Sequence, residues 1–220
     1  MGGLRQFYGS MVGKKAVMGV TGLIGIGFVI LHSLGNLLVF RGPDAINSYS
    51  HFLKSTGELL WGLRILLIVA VVLHVIAAAQ LTRQSRAARP VGYVKWEPQA
   101  ATIGSRTMRW GGVLLLAFIV VHILHFTTGT IRPAGAFSRQ DVYANVVTSF
   151  RVWWVALFYV VSMIALGLHL FHGAWSSVRS IGVSRVSAVP LRHRVSMALA
   201  ILIWAAFTAV PVAVFSGLVR

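Results

Sequence analysis

The sequence predicts an all-α integral membrane protein, a bundle of five transmembrane helices with a cytoplasmic N-terminus. Three observations carry that prediction. Of 220 residues, 57% are hydrophobic and 11% charged, against about 25% charged in a soluble globular domain, and the mean hydropathy is +0.79. Five apolar stretches are each long enough to cross ~30 Å of hydrocarbon at ~1.5 Å per residue. The basic residues fall mainly in the connections between those stretches.

The stretches run from about Ala16 to Phe40, Leu59 to Leu81, Trp110 to Thr128, Val152 to Trp175 and Val195 to Leu218. Backbone in lipid must satisfy its own hydrogen bonds, so these read as helices. They lack the alternation of barrel strands. Arg5, Lys14 and Lys15 precede a first span too long for a signal-peptide core, so no signal peptide is expected.

Lys and Arg set the orientation. The N-terminal segment holds Arg5, Lys14 and Lys15. The second-to-third connection holds Arg83, Arg86, Arg89, Lys95, Arg106 and Arg109, and the fourth-to-fifth holds Arg179, Arg185, Arg192 and Arg194. Those thirteen stand against seven on the other side: Arg41, Lys54, Arg64, Arg132, Arg139, Arg151 and Arg220. The N-terminus is therefore expected in the cytoplasm and the C-terminus outside. The net charge of +16 reads as loop charge facing the membrane, not as a nucleic-acid footprint. The connections leave no room for a catalytic domain, so residues 1–220 read as one transmembrane domain in the cell membrane.

The chain has no cysteine, which excludes disulfides, thiolate-held iron–sulfur clusters and covalently attached c-type haem. Any metal must rest on His, Met or the four carboxylates, Asp44, Glu58, Glu97 and Asp141. Six of the eight histidines lie within spans: His32, His74, His122, His125, His169 and His172. Ionisable groups in a bilayer are costly and usually functional. Counted from the flanking basic residues, His32 lies ~25 Å and His122 ~20 Å from the cytoplasmic end, His74 ~14 Å and His169 ~15 Å. The first and third helices thus offer one pair, the second and fourth another. A haem iron with two imidazole ligands needs them on opposite porphyrin faces, hence on different helices, and filled axial positions favour electron transfer over O₂ or CO binding. Histidines used for a proton relay or for interhelical hydrogen bonds are the alternative.

His125 and His172 each sit three residues beyond a candidate ligand, on roughly the same helical face. Depth does not separate His122 from His125, whereas His169 matches His74 better than His172 does. The extra two read as groups supporting the ligands or lining a quinone pocket. His51 and His193 read as interfacial, and Trp153, Trp154 and Trp175 as interfacial anchors. Gly19, Gly22, Gly25 and Gly27 on the first helix would let another backbone, or a flat cofactor, approach closely. The fifth helix offers no candidate ligand and reads as structural.

At these residues the chain resembles the single-chain, five-helix, di-haem cytochrome b membrane anchor of succinate:quinone oxidoreductase, complex II. The matching stretches are Arg5-Gln-Phe-Tyr8, His32-Ser-Leu-Gly-Asn36, the run Arg41-Gly-Pro-Asp-Ala-Ile-Asn-Ser-Tyr-Ser-His51-Phe, Arg109-Trp-Gly-Gly followed ten residues later by His122, and His169-Leu-Phe-His-Gly-Ala-Trp-Ser176. The resemblance implies two haem b groups, His74 and His169 holding the one nearer the cytoplasm, and His32 and His122 the farther one. The family pattern carries a polar residue, often Asn, where this chain has His172. It further implies flavoprotein and iron–sulfur partner subunits on the cytoplasmic face, quinone (usually menaquinone) as electron acceptor, and a possible higher oligomer of the complex. Nothing in the sequence could bind FAD, an iron–sulfur cluster or a dicarboxylate. Candidate quinone or supporting groups are His51, Lys54, Glu58 and His125 on the outer side, with His172, Ser176 and Arg179 on the inner side; Arg179 could instead pair with a haem propionate. A fumarate reductase anchor, another di-haem cytochrome b and a haem-free histidine-relay transporter are the competing readings. Against the last stand spans without Asp or Glu beyond Glu58 at one end, and no pair of broken helices.

Overall fold

A computed structural model of the chain describes residues 2–88, 103–135, 137–182 and 189–220. Arg89, Lys95, Glu97 and Arg185 lie outside them. Eight α-helices are present among the described residues: α1 (Gly2–Gly9), α2 (Met11–Asn36), α3 (Pro43–Ser55), α4 (Glu58–Ala87), α5 (Ile103–His122), α6 (Val142–Phe150), α7 (Trp153–Ser180) and α8 (Val189–Phe215). A 3₁₀ turn, Leu37–Arg41, continues α2, and a π turn, Ile123–Thr127, continues α5. Five spans are long and apolar enough to cross a membrane: Met11–Arg41, Glu58–Ala87, Ile103–Thr127, Trp153–Ser180 and Val189–Phe215. The protein is thus an all-helical, multi-pass membrane protein. The helices overrun the apolar stretches at their basic ends because Arg and Gln, as in Arg83, Gln84 and Arg86, are good helix formers. Hydropathy marks the bilayer, not the helix end.

Local chemistry sets the boundaries. The Ser10 hydroxyl accepts from the Gly13 N–H at 2.9 Å and starts α2. Gly42 (φ +92°) ahead of Pro43, and Gly57 (φ +50°), turn the chain into and out of α3. Those positive φ values suit glycine, and Pro at the first helical position costs no hydrogen bond. Pro211 inside α8 leaves the Phe207 carbonyl without its helical donor.

α7 is the central helix and packs on α2, α5 and α8; α4 leans mainly on α2. A Cβ at Gly19 would lie 3.2 Å from the Ser177 carbonyl oxygen, and one at Gly104 3.1 Å from that of Leu168. Small residues bring these backbones together where lipid offers no hydrophobic drive for association. α4 buries only Ala70, Ala77 and Leu81 and turns Ile65, Ile68 and Val72 outward. At the end opposite α1, α3 and α6 pack together over the bundle. A cluster of Val39, Ile46, Val146, Val147, Phe150, Val155, Val210 and Val214 forms the core there.

Asp141 and Asn47 clasp that cap. The Asn47 amide donates to Asp141 Oδ1 at 3.0 Å, the Tyr143 N–H donates to Asn47 Oδ1 at 3.1 Å, and Asp141 caps α6 by accepting from the Ala144 N–H at 2.9 Å. The Ala144 N–H and the Asn47 amide hold the Asp141 carboxyl below the usual aspartate range. With the folded value depressed, this stabilisation is complete above the unfolded value, about 3.9, and is lost as pH falls through the folded one. Asp141→Ala should cost roughly 1 kcal/mol, the typical loss of an N-cap. Thermal unfolding in detergent should show the gap between variant and parent at neutral pH and its closure below the ordinary aspartate range.

Candidate functional site

Four intramembrane histidines meet in two pairs. His32 on α2 faces His122 at the end of α5, ring centroids 5.8 Å apart and nearly perpendicular. His74 on α4 faces His169 on α7 with centroids 6.2 Å apart. The levels differ: Thr21 touches His74, and His32 lies eleven residues farther along α2, about 16 Å at 1.5 Å per residue. Each pair spans two helices, α2 with α5 and α4 with α7, that make almost no close backbone approach among the described residues. The separations also suit a shared metal. At about 2 Å per metal–imidazole bond, two imidazoles sharing one metal from opposite sides would have ring centroids about 6 Å apart.

The surroundings orient the rings. His74 Nδ1 lies 3.1 Å from both the Met18 carbonyl oxygen and Thr21 Oγ1. The Thr21 hydroxyl donates to the Val17 carbonyl at 2.7 Å, so the network assigns the ring hydrogen to Nδ1, donating to Met18. Nε2 then keeps a free lone pair. Gly22 makes room: a Cβ there would stand 3.4 Å from His74 Cε1 and 3.3 Å from Ser177 Oγ. His169 Nδ1 is buried with no partner among the described residues, and Gly112 opposes its Cε1. Phe28 stacks on His32 at 5.2 Å and Phe118 on His122 at 5.6 Å, while Phe207 tilts against His32 at 5.7 Å.

His125 stands apart from its neighbour. It is 4% exposed, and both ring nitrogens are engaged, Nδ1 with the Tyr159 hydroxyl at 3.0 Å and Nε2 with Ser149 Oγ at 2.9 Å. The π turn brings this about. The Thr128 N–H bonds the Ile123 carbonyl five residues back, adding one residue to the turn and rotating His125 off the face that His122 would otherwise share with it. A small cavity beside it is lined by Arg132, Phe137, Asn145 and Ser149 among others.

His172 is half-buried, its Nδ1 without a partner, and its ring meets Trp175 edge-on at 5.4 Å. Trp175 also lies against His193 at 4.5 Å and under the exposed Arg179 guanidinium at 5.2 Å. It is half-buried, whereas Trp153 and Trp154 are 63% and 50% exposed at the start of α7. Among the outer-side polar groups, His51 and Glu58 are exposed on α3 and the first turn of α4. Lys54 donates to the Arg139 carbonyl at 2.5 Å. Sequence reasoning passed over Thr21, Ser149 and Tyr159, polar residues in or beside spans whose histidine partners lie far off in the sequence.

Gly22→Leu would force a branched side chain against His74 and Ser177. Overpacking of this kind costs about 1–3 kcal/mol, and a lowered unfolding temperature in detergent should report it.

No family model matches the chain, and no solved structure matches it. Among curated proteins, the succinate dehydrogenase cytochrome b558 subunit of Bacillus subtilis (strain 168) is 25% identical over 210 residues, covering 94% of this chain and 95% of that protein. Over nearly its whole length, then, this five-span chain resembles the cytochrome b membrane anchor of complex II.

Proposed function

We propose that the chain is the haem b membrane anchor of a succinate dehydrogenase. In this reading it joins an iron–sulfur subunit and a flavoprotein at the cytoplasmic face to quinone, menaquinone by the family resemblance, by way of two haem b groups. His74 and His169 hold the haem nearer the cytoplasm, and His32 and His122 the farther one.

One observation carries the reading: each of the two histidine pairs bridges helices that barely approach one another, with ring separations that suit a shared iron. The Met18 carbonyl adds to it, since a metal-binding imidazole ordinarily donates its other N–H to a backbone carbonyl, carboxylate or water. The near-full-length similarity to a cytochrome b558 subunit points the same way. When bound, haem would supply a one-electron carrier, and two imidazoles from this chain on its iron would leave no site for O₂ or CO. The chain's own residues do the rest. Met18 and Thr21 hold the His74 ring, and Phe28, Phe118 and Phe207 wall the His32–His122 pair and keep water from it. Arg and Lys at the α1 end favour that end in the cytoplasm.

A dithionite-reduced minus oxidised spectrum of the purified complex should count two low-spin haem b per chain, unreactive to CO. Replacing His32, His74, His122 or His169 singly by Ala should remove one haem each, while His125→Ala keeps both irons ligated. Intact protein without haem would sink the assignment. For orientation, the chain has no cysteine of its own. In whole cells an impermeant thiol reagent should label Ser48→Cys on α3 and leave Ser85→Cys on α4 unlabelled; the reverse pattern overturns the topology.

A further inference from the structure

Tyr159 belongs to neither histidine pair, yet its hydroxyl lies against one of them. It stands 3.0 Å from His125 Nδ1 and, at the long end of hydrogen-bond range, 3.4 Å from His122 Nδ1. His125 Nε2 in turn stands 2.9 Å from Ser149 Oγ. These contacts make one chain, Ser149–His125–Tyr159–His122, and its first three members are 5%, 4% and 6% exposed.

Hydrogens fit this chain in two senses. In one, the Ser149 hydroxyl donates to His125 Nε2, His125 Nδ1–H donates to Tyr159, and the phenol donates to His122 Nδ1. A neutral His122 then carries its hydrogen on Nε2 and cannot bind a metal there. In the other, His122 Nδ1–H donates to the Tyr159 oxygen, the phenol donates to His125 Nδ1, and His125 Nε2–H donates to Ser149 Oγ. Only this sense frees the His122 Nε2 lone pair.

We propose that Tyr159 is a positioning residue for His122: held by His125 and Ser149, its oxygen accepts the His122 Nδ1–H, fixes the tautomer and the ring plane, and makes His122 a more basic ligand. This rests on the reading of His122 as an iron ligand. Packing alone does not call for the hydroxyl. The Tyr159 ring sits among Phe118, Phe126, Phe150 and Phe158 at centroid distances of 5.0–5.7 Å, where phenylalanine would serve as well. A buried hydroxyl left unpaired would be a cost. The π turn, which turns His125 away from His122 and onto Ser149 and Tyr159, has its role here. The other pair reaches the same end differently, through the Met18 carbonyl on His74 Nδ1.

An acceptor on a ligand's outer N–H raises its basicity, and a more basic axial ligand favours oxidised iron. The test is a dye-mediated potentiometric titration of the intact complex carrying Tyr159→Phe, with haem counted per chain. We expect two haems, one at its parental potential and one more easily reduced. A roughly tenfold gain in the reduction equilibrium corresponds to about 59 mV for one electron. Two haems, both at parental potentials, would overturn the proposal. If Tyr159→Phe does not accumulate, Ser149→Ala decides: a smaller rise confined to the same haem supports it, and no change overturns it. His122→Ala run alongside separates the two failures. If that variant keeps both haems, the ligand assignment falls and the proposal with it. If it loses one haem while Tyr159→Phe shifts nothing, the ligand assignment stands and only the proposal falls.

Discussion

The approach of α2 to α7 governs the rest of the bundle. Gly19 and Gly22 let α2 settle on α7 near Ser177, and α4 and α5 are then carried on opposite partners, α4 on α2 and α5 on α7. This crossing gives each histidine pair its span. His32 and His122 sit on helices separated by α7, His74 and His169 on helices separated by α2. A bulkier residue at Gly19 or Gly22 would change the spacing of the helices as well as their contact, since in lipid close backbone packing is itself a main source of association.

The same glycine stripe ties packing to ring orientation. The Met18 carbonyl, inside α2, has a second lone pair to offer, and His74 takes it where Gly22 lets the ring lie close to the helix. Farther along, a Cβ at Gly25 or Gly27 would have no described residue within 4 Å. The four glycines that look alike in sequence therefore divide, two for helix contact and two lining open space. Each of the two uses suggested by the sequence is thus compatible with one half of the stripe.

The five spans were legible because composition and length suffice for a helix in lipid. The grouping of the histidines into two pairs was legible too, since depth along a straight helix follows from counting residues. Depth did not tell which of His122 and His125 faces His32, because that turns on a π turn that one extra residue creates, and no periodicity in Ile123–Thr127 announces it. Tyr159 and Ser149 were equally hidden: their importance comes from partners 34 and 24 residues away from them at His125. The Asn47–Asp141 clasp, with its 94-residue separation, is a tertiary fact of the same kind. Trp175, near a span end, meets the His193 ring on α8, a contact that no spacing in the sequence announces.

Among the described residues α7 packs on α2, α5 and α8, while α5 makes its main contact with α7. The chain is synthesised with α5 ahead of α7, so the main partner of the helix bearing His122 arrives only with the fourth span. His169, the partner of His74, arrives on that same span. Both histidine pairs, about 16 Å apart in depth, therefore depend on α7, and a chain cut short before it would be expected to lose both at once.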